Sequence, residues 1–342
     1  MKSVKALKDI LFLTFIIGVA SVKASPQSMA QHETLMVDEH PIHVATWGDT
    51  TDQERPWIVM ISGPIDTWHS DSAWFAANAK VLAKDYRVMV IDRAGQILDT
   101  LDAPVGYDHF ATDMHLVLTH YAINDATLVS FASGNISAQI YFSNYTQQRA
   151  IDNVLLIDPD VLTPFSIARY AADAKPFKDN LNQYLDYISQ GKYTPRVEQK
   201  NTADMAVLQA LGKSDAMDWD YVDSIFKTRL LLNNQLNLFR EIARYEEDLH
   251  AASQLNWPKQ IPTSIVDTQF ESHYIQNTDE TDAKEGLIAW QKDAKTYYQS
   301  LAKLSANNSY VETDTEAHLF QVEQPKAVAN LIKALRSIPS EQ

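Results

Sequence analysis

A late histidine, serines at a predicted strand-to-helix turn and carboxylates at the ends of apolar runs are the residues of this chain that can do chemistry. His318 stands in Glu316-Ala-His318-Leu-Phe-Gln-Val-Glu323-Gln-Pro325, Ser130 and Ser133 in Leu128-Val-Ser-Phe-Ala-Ser-Gly-Asn135, and Asp158 in Leu156-Ile-Asp158-Pro159. An acid–histidine pair moves protons as a general base on a bound water or an acidic C–H, and a hydroxyl beside it becomes a covalent nucleophile. Other chemistries lack their residues. The chain has no Cys, which removes disulfides, thiolate catalysis and Cys-ligated zinc. His109, His115 and His120 follow one another at gaps of six and five, a spacing that does not stack them on one helix face, so no metal site is expected. There is no P-loop and no Gly-x-Gly-x-x-Gly, hence no phosphate cradle, and no cofactor is expected. Trp68-His69-Ser70-Asp71 reads as a hydrated loop, with a place on a pocket wall as the alternative.

The elements that must position these residues fit in 342 residues, enough for two domains or for one large α/β domain with an insertion. A hydrophobic fraction of 45% with 10% aromatics excludes a disordered, coiled-coil or collagen-like chain. The formal charge of -15 argues against nucleic acid or an anionic membrane as partner, since both call for a basic surface. Lys2, Lys5 and Lys8 precede an apolar run from Ile10 to Ala20 that is too short to span a bilayer, and Val22-Lys23-Ala24 offers small residues for a signal peptidase. Residues 1–24 therefore read as a signal peptide cleaved after Ala24, with an uncleaved anchor as the alternative. Without that leader, which carries net +3, the chain sits near -18. It is expected to be secreted or periplasmic, with no stable membrane insertion after cleavage.

Short alternating stretches at Leu35-Met-Val37 and Ile42-His-Val-Ala-Thr46 predict strands. Continuous apolar runs at Trp57-Ile-Val-Met-Ile61, Arg87-Val-Met-Val-Ile91, Ala126-Thr-Leu-Val-Ser-Phe131 and Val154-Leu-Leu-Ile157 predict strands buried on both faces of a parallel sheet. Helical patterns over 72–84, 107–121 and 136–145 separate them. From 164 to 256 the strand signal gives way to polar helical sequence, including 177–190 and 221–245, read as a helical cap inserted between strands. Strands resume at Thr263-Ser-Ile-Val-Asp267 and Ser309-Tyr-Val-Glu312, with helices over 285–304 and 325–338. The expected fold class is α/β, a mostly parallel sheet flanked by helices. The expected parts are a signal peptide at 1–24, a core at 25–163 and 257–342, and the cap at 164–256.

The strand–turn–helix around Ala132, the strand ending in Asp158-Pro159 and the His318 segment together resemble the α/β-hydrolase superfamily, in its prolyl-iminopeptidase and esterase-like branch, over nearly all of the mature chain. The resemblance implies an eight-stranded, mostly parallel sheet with an inserted helical cap, and a catalytic histidine at His318. It also implies a nucleophile in Gly-x-Ser-x-Gly, on a strained turn whose two flanking positions must be small. Aligning Gly134 with the second glycine puts Ser130 at the first small position and Ala132, which has no oxygen, at the nucleophile position. Sliding by one makes Ser133 the nucleophile, with Phe131 and Asn135 at positions that call for small residues. The oxyanion donors implied are the N–H groups of Gly63 and Ser133, in the register that puts Ile61 at the family's histidine. In the other register Ser62 takes that place and the donor falls on Pro64, which has no N–H. For the acid the resemblance implies a carboxylate after the strand at Asp267, and Glu271 is the matching residue, with Asp267 and Asp158 as alternatives. Asp92-Arg-Ala-Gly95-Gln-Ile97-Leu-Asp99 departs from the family's Asp-x-Arg-Gly-x-Gly-x-Ser turn at Ile97 and Asp99.

Removing a triad serine typically costs ~10⁶ in turnover. The sequence thus points first to an exported protein with the α/β-hydrolase fold and a degenerate triad, a pseudoenzyme by the serine criterion. Its pocket under the cap would bind a small molecule or carry out serine-independent chemistry. The alternative is an esterase or aminopeptidase-like hydrolase using Ser133 with Glu271 and His318, and a structural secreted protein is the third class. Tyr170, Tyr184, Tyr187, Trp219 and Tyr221 of the cap read as helix-packing residues, or as walls of a substrate pocket.

Overall fold

The computed structural model describes residues 29–63, 71–145, 150–212 and 216–338. The leader with its cleavage point, Pro64 and Trp68-His69-Ser70 lie outside the described residues.

Eight strands form one sheet: β1 (Gln31–Val37), β2 (His40–Trp47), β3 (Trp57–Ser62), β4 (Arg87–Ile91), β5 (Ala126–Phe131), β6 (Ile151–Ile157), β7 (Thr263–Asp267) and β8 (Ser309–Glu312). Their spatial order is β1-β2-β4-β3-β5-β6-β7-β8. The pairings β1–β2 and β2–β4 are antiparallel, and all others are parallel. The apolar runs are continuous because both faces are covered. In β5, Leu128 packs into the core on one side of the sheet while Val129 and Phe131 pack into the core on the other. On the first side lie α2 (Tyr107–His120), α3 (Gly134–Asn144) and α10 (Thr281–Ala302). On the second lie α1 (Ala76–Leu82) and α12 (Pro325–Arg336). The chain order β5-α3-β6 sets the ends of two adjacent parallel strands side by side, and that juxtaposition creates the site.

Between β6 and β7, among the described residues, stand five helices: α4 (Pro164–Asp179), α5 (Leu181–Ser189), α6 (Thr194–Leu211), α7 (Trp219–Thr228) and α8 (Leu232–Ser253). The two long helical stretches expected there are each interrupted. Asn180, with φ -116°, is at once the last cap of α4 and the first of α5, and its side chain donates back to the Pro176 carbonyl at 2.9 Å. The stretch 221–245 breaks at Arg229–Leu231, where the guanidinium of Arg229 is drawn into buried pairs with Asp71 (2.6 Å) and Asp204 (2.8 Å). The helix expected over 72–84 likewise begins as a 3-10 turn, Ser72–Phe75, because the Asp71 carboxylate caps it and Asp92 accepts from both the N–H and the hydroxyl of Ser72.

Candidate active site

β5 ends at Phe131, and the chain reverses through Ala132 and Ser133 into α3. Ala132 has φ 47°, a left-handed conformation that costs a residue with a Cβ about 1 kcal/mol. Its N–H donates to the Ile157 carbonyl at 3.0 Å, which ties the turn to the end of β6. The flanks are small for a visible reason: a Cβ on Gly134 would stand 2.8 Å from Ser130 Oγ and 3.2 Å from the Ile61 carbonyl. Crowding of this kind at residues 130 and 134 places the apex of the turn on Ala132. Ser133 is helical at φ -64° and 1% exposed, and its hydroxyl lies 2.5 Å from the Tyr107 hydroxyl.

His318 sits in the loop between β8 and α11 (Phe320–Glu323), its ring between Phe131 and Phe270 at centroid distances of 4.8 and 4.1 Å. Its Nδ1 is 2.8 Å from Asp158 Oδ2. The Asp158 carboxylate is itself fixed by Thr268, whose N–H donates to Oδ1 at 2.9 Å and whose hydroxyl donates to Oδ2 at 2.6 Å. With Asp158 ionised, the imidazole proton is held on Nδ1 and Nε2 is left as the basic nitrogen. Asp158 (φ 43°) and Gln269 (φ 58°), which opens α9 (Phe270–Gln276), are also left-handed. Three strained non-glycine residues thus surround one histidine, and strain of this kind concentrates at functional sites.

Two expectations are corrected by this geometry. Glu271, matched to the acid from sequence, does not meet His318. It is 2% exposed in the first turn of α9, and its Oε2 has no hydrogen-bond partner among the described residues. Burial, reinforced by the nearby charge of Asp158, pushes its carboxyl up to about 8. Asp267 serves the turn instead, accepting from the Gln269 N–H at 3.2 Å and the Tyr310 hydroxyl at 2.6 Å. Gly63 is brought against the turn, where a Cβ would fall 1.9 Å from Ser133 Oγ and 2.5 Å from Ser133 N. Its own N–H, however, is spent on the Phe131 carbonyl at 2.9 Å and is not offered to a ligand. Of the two oxyanion donors expected, the Ser133 N–H keeps no acceptor among the described residues.

Ala132, Asp158 and His318 share the wall of a cavity of about 410 Å³. The rest of its lining comes from the turn after β6 (Pro159, Asp160), from α4 (Arg169, Tyr170, Asp173), from α8 (Tyr245), from α9 and α10 (Phe270, Tyr274, Leu287, Trp290, Tyr298) and from Thr278 between them. Sequence reasoning missed most of this wall. Leu287, Trp290, Ala294 and Tyr298 recur at three- and four-residue steps along one face of α10, a signal that marks a buried helix face without telling core from cavity. Of the cap aromatics named from sequence, Tyr170 lines the cavity. Tyr184 packs on Phe177 and Phe239, Tyr187 is exposed and Tyr221 is in the core.

No protein-family model matches the chain. Among solved structures, it is similar to Cfl2 from Burkholderia cenocepacia at 16% identity and a TM-score of 0.57, covering 91% of this chain and 97% of that one. An epoxide hydrolase, CorEH, aligns at 13% identity and TM-score 0.56 over 90% and 98% of the two chains. An enol-lactonase from Burkholderia xenovorans aligns at 15% and 0.52 over 90% and 100%. The chain has the α/β-hydrolase fold. The turn at Ala132 after β5, the carboxylate of Asp158 after β6 and His318 after β8 meet on one wall of the cavity.

Proposed function

We propose that this is an exported α/β-hydrolase-fold protein that handles a small molecule without an acyl-enzyme. In this reading the Asp158–His318 pair serves as a general base on a bound water or on an acidic C–H of the ligand, inside the cavity beneath α4 and α8. The observation that carries it is the left-handed Ala132 at the apex of the elbow, on the wall that also holds His318. An alanine at that point removes the attacking oxygen and leaves room for a water beside Nε2, while the hydrogen bonds of Asp158 keep the base oriented. A hydrolase using Ser133 is not supported by the same geometry, because that hydroxyl is buried against Tyr107 and is not part of the cavity wall. Export rests on the lysine-rich, apolar N-terminus of the sequence.

Fluorophosphonate labelling of the purified protein tests the reading, with mass spectrometry to map the adduct. The wild type and Ser133→Ala are expected to stay unlabelled, and Ala132→Ser is expected to take the adduct at residue 132. An adduct on Ser133 of the wild type overturns the assignment of the elbow. Failure of Ala132→Ser to label overturns the claim that the Asp158–His318 pair is competent.

A further inference from the structure

The wall of this cavity has a chemical bias of its own. Six aromatic rings contributed by four helices, Tyr170, Tyr245, Phe270, Tyr274, Trp290 and Tyr298, face a common space of about 410 Å³. They brace one another: Trp290 meets Phe270 edge-on at 5.5 Å and Tyr170 at 6.2 Å, and its indole N–H donates to the Tyr170 hydroxyl at 3.1 Å. Asp160 stands among them. Its backbone is pinned in both directions by the Asn135 side chain, which donates to the Asp160 carbonyl and accepts its N–H, each at 3.0 Å. The carboxylate accepts from the Tyr245 hydroxyl through Oδ2, and among the described residues no Lys or Arg forms an ion pair with it. Removal from water pushes this carboxyl up to about 6, against the hydrogen bond from Tyr245 and the charge of His318, which pull it down.

Charge on the wall runs the same way. Asp158, Asp160 and Asp173 line the cavity against a single guanidinium, that of Arg169. Arg169 already lies over the Trp290 ring at 5.0 Å from its centroid, so that ring holds a cation within the protein itself. Aromatic faces attract cations through their quadrupole, most strongly where water is excluded, and an alkylated ammonium asks for few hydrogen-bond acceptors. We propose that the cavity takes an organic cation, an alkylated ammonium, whose charge sits between Asp160 and the surrounding aromatic rings while the remainder of the molecule reaches His318. This rests on the cavity being the ligand site described above and names the class of ligand it takes.

Calorimetric titration of the purified protein with choline, with its neutral carbon isostere 3,3-dimethylbutan-1-ol and with benzoate tests it. Choline is expected to bind about tenfold or more tightly than the isostere, the size of effect a partly desolvated carboxylate and aromatic faces give a cation. Asp160→Asn, which keeps shape and volume, is expected to lose most of that preference while affinity for the neutral isostere changes little. Trp290→Leu is expected to weaken choline while Asp160 stays in place. Equal binding of choline and the isostere, a preference for benzoate directed by Arg169, or a choline affinity unchanged in Asp160→Asn each overturns the proposal. Labelling of Ala132→Ser needs no cation and reports separately on the site itself, so the two failures are told apart.

Discussion

Replacing Glu271 by glutamine changes one ionisable group beneath the site and leaves its volume almost untouched. The folded chain holds that carboxyl at about 8, against an ordinary 4.5, because burial penalises the charge and Asp158 lies close by. Between those two values the folded chain keeps a proton that the unfolded chain has released, so stability falls as pH rises through the interval and the loss is complete above about 8. At about 1.4 kcal/mol for each tenfold difference in proton affinity, the interval corresponds to a ceiling of about 5 kcal/mol. Glutamine titrates nowhere in this range. The variant is therefore expected to match the wild type near pH 5 and to exceed it near pH 9, by up to ~10 °C in Tm at about 2 °C per kcal/mol for a chain of this size. Asp113, Asp160 and Asp248, which burial raises to about 6, 6 and 7, titrate in both proteins and cancel in the difference. Thermal unfolding followed by circular dichroism at both pH values decides the matter. A wild type that gains on the variant as pH rises would mean an ionised, paired Glu271, and the account of the site would be wrong.

Two further perturbations separate the roles of neighbouring groups. In the Ala132→Ser protein, Asp158→Asn is expected to slow fluorophosphonate labelling by ~10² to ~10⁴, as loss of the orienting carboxylate does in serine triads, whereas Glu271→Gln leaves the rate within about threefold. Equal effects of the two changes would refute the assignment of Asp158 as the partner of His318. Away from the site, Arg229→Leu leaves Asp71 buried without its ion pair and is expected to cost about 3–5 kcal/mol in urea denaturation, and a loss below about 1 kcal/mol would show that the cluster does not hold the cap helices to the sheet.

The strands were legible because burial on both faces writes an unbroken apolar run. β4, β5 and β7 begin and end at the residues read from the sequence and are buried throughout, while the edge strand β8 is partly exposed. The small residues at 130 and 134 that flank the left-handed Ala132 were legible too, since they are local in sequence. The carboxylate that meets His318 was not, because an Asp-Pro turn at the end of a strand has the same composition whether or not its side chain reaches a histidine 160 residues later. What decides it is the adjacency of β6, β7 and β8 together with the two bonds from Thr268, neither of which has a sequence signature. The cap breaks at Asn180 and Arg229 escaped for a similar reason: the second depends on partners, Asp71 and Asp204, far away in the chain. Nor does the sequence mark that the Gly63 N–H is taken by the Phe131 carbonyl.

The left-handed backbone at Ala132 has a consequence in genetic terms. Every alanine codon is one base from a serine codon, and here the strained turn, the histidine and its oriented carboxylate already stand around that position. On the proposed reading, a single nucleotide change separates the chain from a Ser–His–Asp set. Competition between a serine allele and the resident alanine allele measures directly what that one change confers or costs.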